Sequence, residues 1–309
     1  MREVSAGAAE FLDVMTITDD GAGTFAGKSM SRPGNRVFGG QLLGQSVLAA
    51  GRTVPGDRHV HSLHAFFLHP GNPAETLRYS VHRVRDGANF SARQVTGSQG
   101  DRVIVTVTAS FQRAGGEGLT HQVPMTPVPG PEGLEPQFPF VLPGAPAETQ
   151  AVELRRVFDD AELPGPEDEN SLAGVANGHP GPARSDVRQF GEGRADAAVW
   201  MRFTHELPDD PLLHAAALAY LSDYSILRGA LRMHSIRRGS VRTASLDHSM
   251  WFHRPPRLEG WTLYDIFSPA ANGLRALGTG RLYTQSGTLM ASVAQEGLVR
   301  LSAGPADPK

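Results

Sequence analysis

Apolar and polar positions along the chain repeat with two periods, and the two periods mark its elements. Over 38–51, "FGGQLLGQSVLAAG", Leu42, Leu43, Val47 and Leu48 recur at helical spacing, and Gly51 is placed to end the helix. Three glycines inside this segment cost roughly 1 kcal/mol each against alanine. Such a helix makes sense where another element passes close to its backbone. Strand patterns follow in "HSLHAFFLHP", "TLRYSVHRVR", "NFSARQVTG" and "DRVIVTVTASFQ". In the last of these Val103, Val105, Val107, Ala109 and Phe111 fall on one face, and "SQGDR" forms the turn before it.

The pattern breaks at 113–150. Eight prolines lie between Pro124 and Pro146, which predicts a linker rather than a core element. "AVELRRVF" reads as one strand, and the polar, Gly/Pro-rich run 163–194 as a mobile loop. Periodicity returns with a strand in "AAVWMRFTHEL". A helix follows with Asp210 as N-cap, Pro211 in its first turn and Gly229 as its stop. Its opening turns, Leu212 to Leu221, have almost no polar face, so it is buried on most sides. Asp223 falls about thirteen residues into it. Strands are expected again at 243–253, 261–268, 273–283 and 288–299.

The two halves superimpose with an offset of about 180 residues. His64 and His69 fall on His248 and His253, Asn89 on Asn272, Gln99 on Gln285, and Gln45 on Asp223. This offset is too long for a solenoid. It predicts an α+β tandem, or double, hot-dog, each half a curved antiparallel sheet wrapped around one buried helix. The expected division is an N-terminal hot-dog at 1–112, the Pro-rich linker at 113–150, and a C-terminal hot-dog at 151–309.

Composition excludes several classes. A net charge of −3 gives no field directed at nucleic acid or anionic membrane. No run approaches the ~20 apolar residues of a membrane span, and "MREVSAGAAEFLDV" has no apolar core of a signal peptide. The absence of cysteine excludes thiolate catalysis and zinc–thiolate sites, and fits a reducing compartment. A cytoplasmic location is the expectation.

At this point the chain resembles the acyl-CoA thioesterase II family. The resemblance rests on "RVFGGQLLGQSVLAA", "VHSLHAFFLHPG", "RDGANFSARQV", "TASFQ", "LSDYSIL", "SLDHSMWFHRP" and "AQEGLVR", spread over both halves in the family's order. It is weak over 113–195. It implies hydrolysis of acyl-CoA to free fatty acid and CoA, with water as nucleophile, no cofactor and no metal. CoA belongs to the substrate, and a homo-oligomer is expected from the family alone. The catalytic positions carried over are Asp223, Ser245 and Gln295. Serine stands where some members have threonine, which keeps the hydroxyl.

The residues can be weighed without the family. A carboxylate in an apolar helix needs donors or water, because an isolated buried charge is unfavourable by several kcal/mol. The repeat has Gln45 there, which cannot act as a base, so one half carries the chemistry. Gln295 shares a strand face with Leu289, Ala291 and Val293, where an amide needs partners; Glu296 points the other way. Ser245, Asp247 and His248 invite a Ser-His-Asp reading. However, in an unbroken strand Ser245 and His248 point to opposite faces, and no G-x-S-x-G elbow surrounds the serine. The pairs His64/His69 and His248/His253 are spaced by five, which also separates their faces, so they read as hydrogen-bonded structural histidines rather than metal ligands. Arg254 either meets a phosphate or caps a loop. Two alternatives to hydrolysis remain: a non-catalytic acyl-CoA-binding protein, and another hot-dog thioester enzyme such as a hydratase. The hydratase would need an Asp–His pair that the helix lacks.

Overall fold

A computed structural model of the chain describes residues 6–29, 36–116, 118–138, 150–157, 197–234 and 241–301. The run 163–194, expected to be a loop, lies outside the described residues. In chain order the elements are α1 (Ala6–Val14), β1 (Thr18–Gly21), β2 (Thr24–Gly27), α2 (Gly39–Gly51), β3 (Arg58–Phe67), β4 (Leu77–Asp86), β5 (Phe90–Gln99), β6 (Arg102–Arg113) and β7 (Pro136–Gln137). Then come β8 (Val152–Arg156), β9 (Ala197–Phe203), α3 (Pro211–Ser222), α4 (Arg228–Met233), β10 (Val241–Ser245), β11 (Asp247–Phe252), β12 (Thr262–Asn272), β13 (Arg275–Thr284) and β14 (Leu289–Leu301).

The sheet order contains the run β4-β5-β6-β3-β11-β14-β13-β12, which reads as one repeat followed by its mirror. The duplicated strands β3 and β11 meet antiparallel at the centre, with Met250 opposite Leu63 and Ser249 opposite His64. Each half wraps its sheet around one helix, so the fold is a double hot-dog. The inner faces carry the expected alternation: Val105, Val107, Ala109 and Phe111 are all buried. Among the described residues no helix is long and apolar enough to cross a membrane.

The helices α2 and α3 lie back to back inside the sheet, and the glycines of α2 set how close they come. A Cβ on Gly40 would sit 2.3 Å from Tyr220 O, and one on Gly44 3.0 Å from Ala216 O. The close neighbour predicted for this helix is therefore the matching helix of the other half. Asp210 caps α3 as expected, accepting from Leu212 N at 2.9 Å, with Pro211 opening the helix.

Three expectations change. First, α3 ends at Ser222, and Gly229 lies inside the separate helix α4. The Tyr264 hydroxyl donates to Ser222 O at 2.7 Å, and Ser225 adopts φ +65°; together these take up a helix-end carbonyl and turn the chain. Second, the strand expected at 243–253 is two strands broken at Leu246. Third, the described part of the Pro-rich stretch is fastened to the outer face of the second half. Trp200 Nε1 donates to Pro129 O at 2.8 Å and Thr126 Oγ1 to Asp265 Oδ2 at 2.7 Å, while Met125, Val128 and Leu134 pack on Trp200, Leu263 and Tyr283.

Candidate active site

The end of α3, the start of α2 and strands β10 and β14 surround a cavity of about 850 Å³. Asp223 sits at its wall as the C-cap of α3, one residue past the helix rather than within it. Its carboxylate reaches across to the other half of the molecule, where Gly40 N donates to Oδ2 at 2.8 Å. An anion at a helix N-terminus is favoured by the free N–H groups and by the helix dipole. Gly39 leaves the space for this contact: a Cβ there would lie 2.7 Å from Oδ2.

Ser245 Oγ lies 3.4 Å from Asp223 Oδ1 and accepts from Gln295 Nε2 at 2.9 Å. Gln295 is buried, and its other end, Oε1, lies 2.5 Å from His248 Nδ1. Protein surrounds Asp223 on every side but the cavity. Burial pushes its pKa up to about 6, against the opposing hydrogen bonds from Gln295, Gly40 and Ser245. Burial likewise pushes His248 down to about 4.

The break at Leu246 explains how Ser245 and His248 reach one network. Ser245 pairs with Gly297 and Ser249 with Ala294, so three intervening residues oppose two on β14. This is a β-bulge, and the extra residue resets the alternation. The expectation that Ser245 and His248 face apart, which assumed an unbroken strand, does not hold. Asp247 steadies the bulge, since its Oδ1 accepts from Glu296 N at 2.7 Å. Gln295 nevertheless stands between Ser245 and His248, bonded to both.

The corresponding place in the first half is built differently. Gln45 Nε2 donates to Val14 O at 2.7 Å and Lys28 O at 2.8 Å, and Tyr79 donates to its Oε1 at 2.7 Å. The N-terminal segment fills that position: a Cβ on Gly27 would lie 2.9 Å from the Gln45 amide. On β6 the residue opposite His64, the match of His248, is Thr108, which is exposed.

The remaining histidines do not converge. His64 Nδ1 meets Ser249 Oγ at 3.1 Å, His69 Nδ1 meets Val103 O at 2.7 Å and His253 Nε2 meets Ser292 Oγ at 2.8 Å. Among the described residues no group of three or more His, Asp or Glu is placed to hold a metal ion. Arg254 caps a loop, donating to Leu289 O at 2.8 Å. The sequence reading found Asp223, Ser245 and Gln295, which meet at one wall. It missed Gly40 N and the link from His248 to Gln295. The glycine pair opening α2 was the available signal for the first; no periodic signal marks the second.

Paired hot-dog sheets around two helices define the double hot-dog class, and here a carboxylate, a hydroxyl and an amide converge beside apolar Phe38, Leu42 and Phe67 on a cavity wall. The family model described as acyl-CoA thioesterase N-terminal domain matches residues 27–112, and that described as acyl-CoA thioesterase matches 182–298. Human acyl-coenzyme A thioesterase 8 is 34% identical over 294 residues, covering 90% of this chain and 84% of that protein. Acyl-CoA thioesterase 2 of Haemophilus influenzae is 36% identical over 281 residues, covering 90% and 92%. The crystal structure of acyl-CoA thioesterase II TesB2 from Mycobacterium marinum aligns with a TM-score of 0.72 at 35% identity, over 95% of this chain and 98% of that one. The chain belongs to the acyl-CoA thioesterase II family and is a thioester hydrolase acting on acyl-CoA.

Proposed function

We propose that Asp223, Ser245 and Gln295 direct a water molecule at the thioester carbonyl of acyl-CoA. The observation that carries this reading is the connected run from Gln295 Nε2 through Ser245 Oγ to the Asp223 carboxylate on the cavity wall. Asp223 takes a proton from the water as general base. Ser245 and Gln295 fix the water's position, which turns a bimolecular encounter into an oriented attack. The water oxygen bonds to the carbonyl carbon, the carbon–sulfur bond breaks, and the electron pair leaves with sulfur. The thiolate is a good leaving group and receives the proton from Asp223 or solvent. Apolar residues of the cavity, such as Phe38, Leu42 and Leu231, accommodate the acyl chain.

A covalent route through Ser245 is the rival chemistry. Its hydroxyl lies near Asp223, but His248 is engaged by Gln295 and Ser222. Rapid quench with excess acyl-CoA followed by intact-protein mass spectrometry separates the two. The orienting role predicts no acyl adduct, and it predicts that Ser245→Thr keeps much of the activity while Ser245→Ala retains a residual rate. An adduct on Ser245 that forms and decays at the rate of turnover would overturn it.

A further inference from the structure

We propose that His248 is a positioning residue: it holds the Gln295 amide with its NH₂ end toward Asp223 and Ser245. The inference rests on the reading of Asp223 as base. It begins with the amide, whose two ends differ only in what they can donate. A carbonyl oxygen turned toward the carboxylate would repel it, so Nε2 must face the site. Oε1 then lies 2.5 Å from His248 Nδ1, and a carbonyl can only accept. Nδ1 must therefore carry the hydrogen.

That assignment fixes what the rest of the chain of bonds must do. His248 is fully buried and its pKa is pushed down, so the ring is neutral and bears one hydrogen. With Nδ1 protonated, Nε2 is an acceptor. Ser222 Oγ lies 2.9 Å from it and also 2.8 Å from Ala219 O. The one hydroxyl hydrogen thus faces two acceptors, Nε2 and Ala219 O, and the Nδ1 assignment requires it to serve Nε2. The directional series is thus Ser222 to His248, His248 to Gln295, and Gln295 to Ser245 and Asp223. The titratable or charged groups around this network are Asp223 after α3, Tyr264 on β12, whose hydroxyl donates to Ser222 O, Asp247 and Glu296 beside it on β11 and β14, His64 on β3, and the cavity arginines Arg36, Arg156, Arg228 and Arg232. On β3 the residue opposite His248 is Ala65, which brings no charge.

Two measurements test this. Long-range proton–nitrogen NMR of histidine-labelled wild-type enzyme at pH 7 should show the His248 ring neutral with hydrogen on Nδ1, the signal being assigned by its loss in His248→Asn. Hydrogen on Nε2, or a cationic ring, would overturn the proposal. In kinetics, His248→Leu removes the donor, while the Asn side-chain amide can still donate to Oε1. Loss of a partner that orients a site group typically lowers activity by roughly 10–100-fold. His248→Leu should lose kcat on that scale with KM little changed, and its acid limb should move to higher pH as Asp223 loses the opposing bond from Gln295. His248→Asn should recover most of the rate. Equal losses in both variants, or a fall confined to KM, would mean a packing role only. A folded, undiminished His248→Leu beside an inactive Asp223→Asn would overturn this inference alone. An active Asp223→Asn would overturn the parent reading and this one with it, whatever the ring tautomer.

Discussion

At the scale of the residue, the proposed mechanism turns on one ionisation. Asp223 must be deprotonated to accept a proton, and burial places its pKa near 6. The free enzyme's kcat/KM should therefore be level above about pH 7 and fall tenfold per unit below the pKa of about 6. His248, at about 4, stays neutral across that window. A pH–rate profile flat through pH 5 would contradict the assignment. The same shift has a sign for stability. The folded pKa lies above the ordinary value of 3.8, so the folded state binds the proton more tightly. The stability this group contributes is full below pH 3.8 and is lost as pH rises through about 6. At pH 7 the buried carboxylate thus opposes folding. Removing its charge with Asp223→Asn should raise Tm at pH 7, and by less near pH 4. A lower Tm at both values would show that the hydrogen bonds outweigh the burial.

At the scale of the element, the close pair α2 and α3 places Gly40 N against Asp223. Alanine at position 40 would gain helix propensity of roughly 1 kcal/mol. Yet its Cβ would meet a backbone carbonyl, Tyr220 O, at 2.3 Å, which cannot rotate aside. Overpacking of this kind costs about 1–3 kcal/mol, so Gly40→Ala should be destabilised in chemical denaturation and should also lose kcat as the Asp223 contact opens. An unchanged midpoint would show that the helices can part freely. These elements also mark what was legible in the sequence. The helix at 38–51 and the strands of both halves stood out because burial imposes a regular period on them. The end of α3 did not, since it is decided by Tyr264, 42 residues away from the Ser222 carbonyl it binds. The bulge at Leu246 did not either, because one extra residue leaves an alternating pattern that still looks continuous. The proposed site residues were reached through the family resemblance; the groups bonded to them, Gly40 N and His248, come from distant segments and carry no local signature.

At the scale of the whole molecule, the two halves share a scaffold but, among the described residues, differ at the site: the second has a cavity with a carboxylate on its wall. The first-half position is occupied by Gln45 and sealed by the carbonyls of Val14 and Lys28. Equilibrium binding of a non-hydrolysable acyl-CoA analogue should therefore saturate at one molecule per chain, and two equivalent sites would contradict this asymmetry. The halves still depend on each other, because Asp223 of one is held by Gly40 of the other. The central claim is that this carboxylate activates the water. Its most direct test is single-turnover thiol release by Asp223→Asn, measured beside a melting curve. The account predicts a rate lower by roughly 10²–10⁴-fold, the usual range for losing a general base, in a protein at least as stable as the wild type at pH 7. A folded Asp223→Asn that releases CoA at close to the wild-type rate would contradict it.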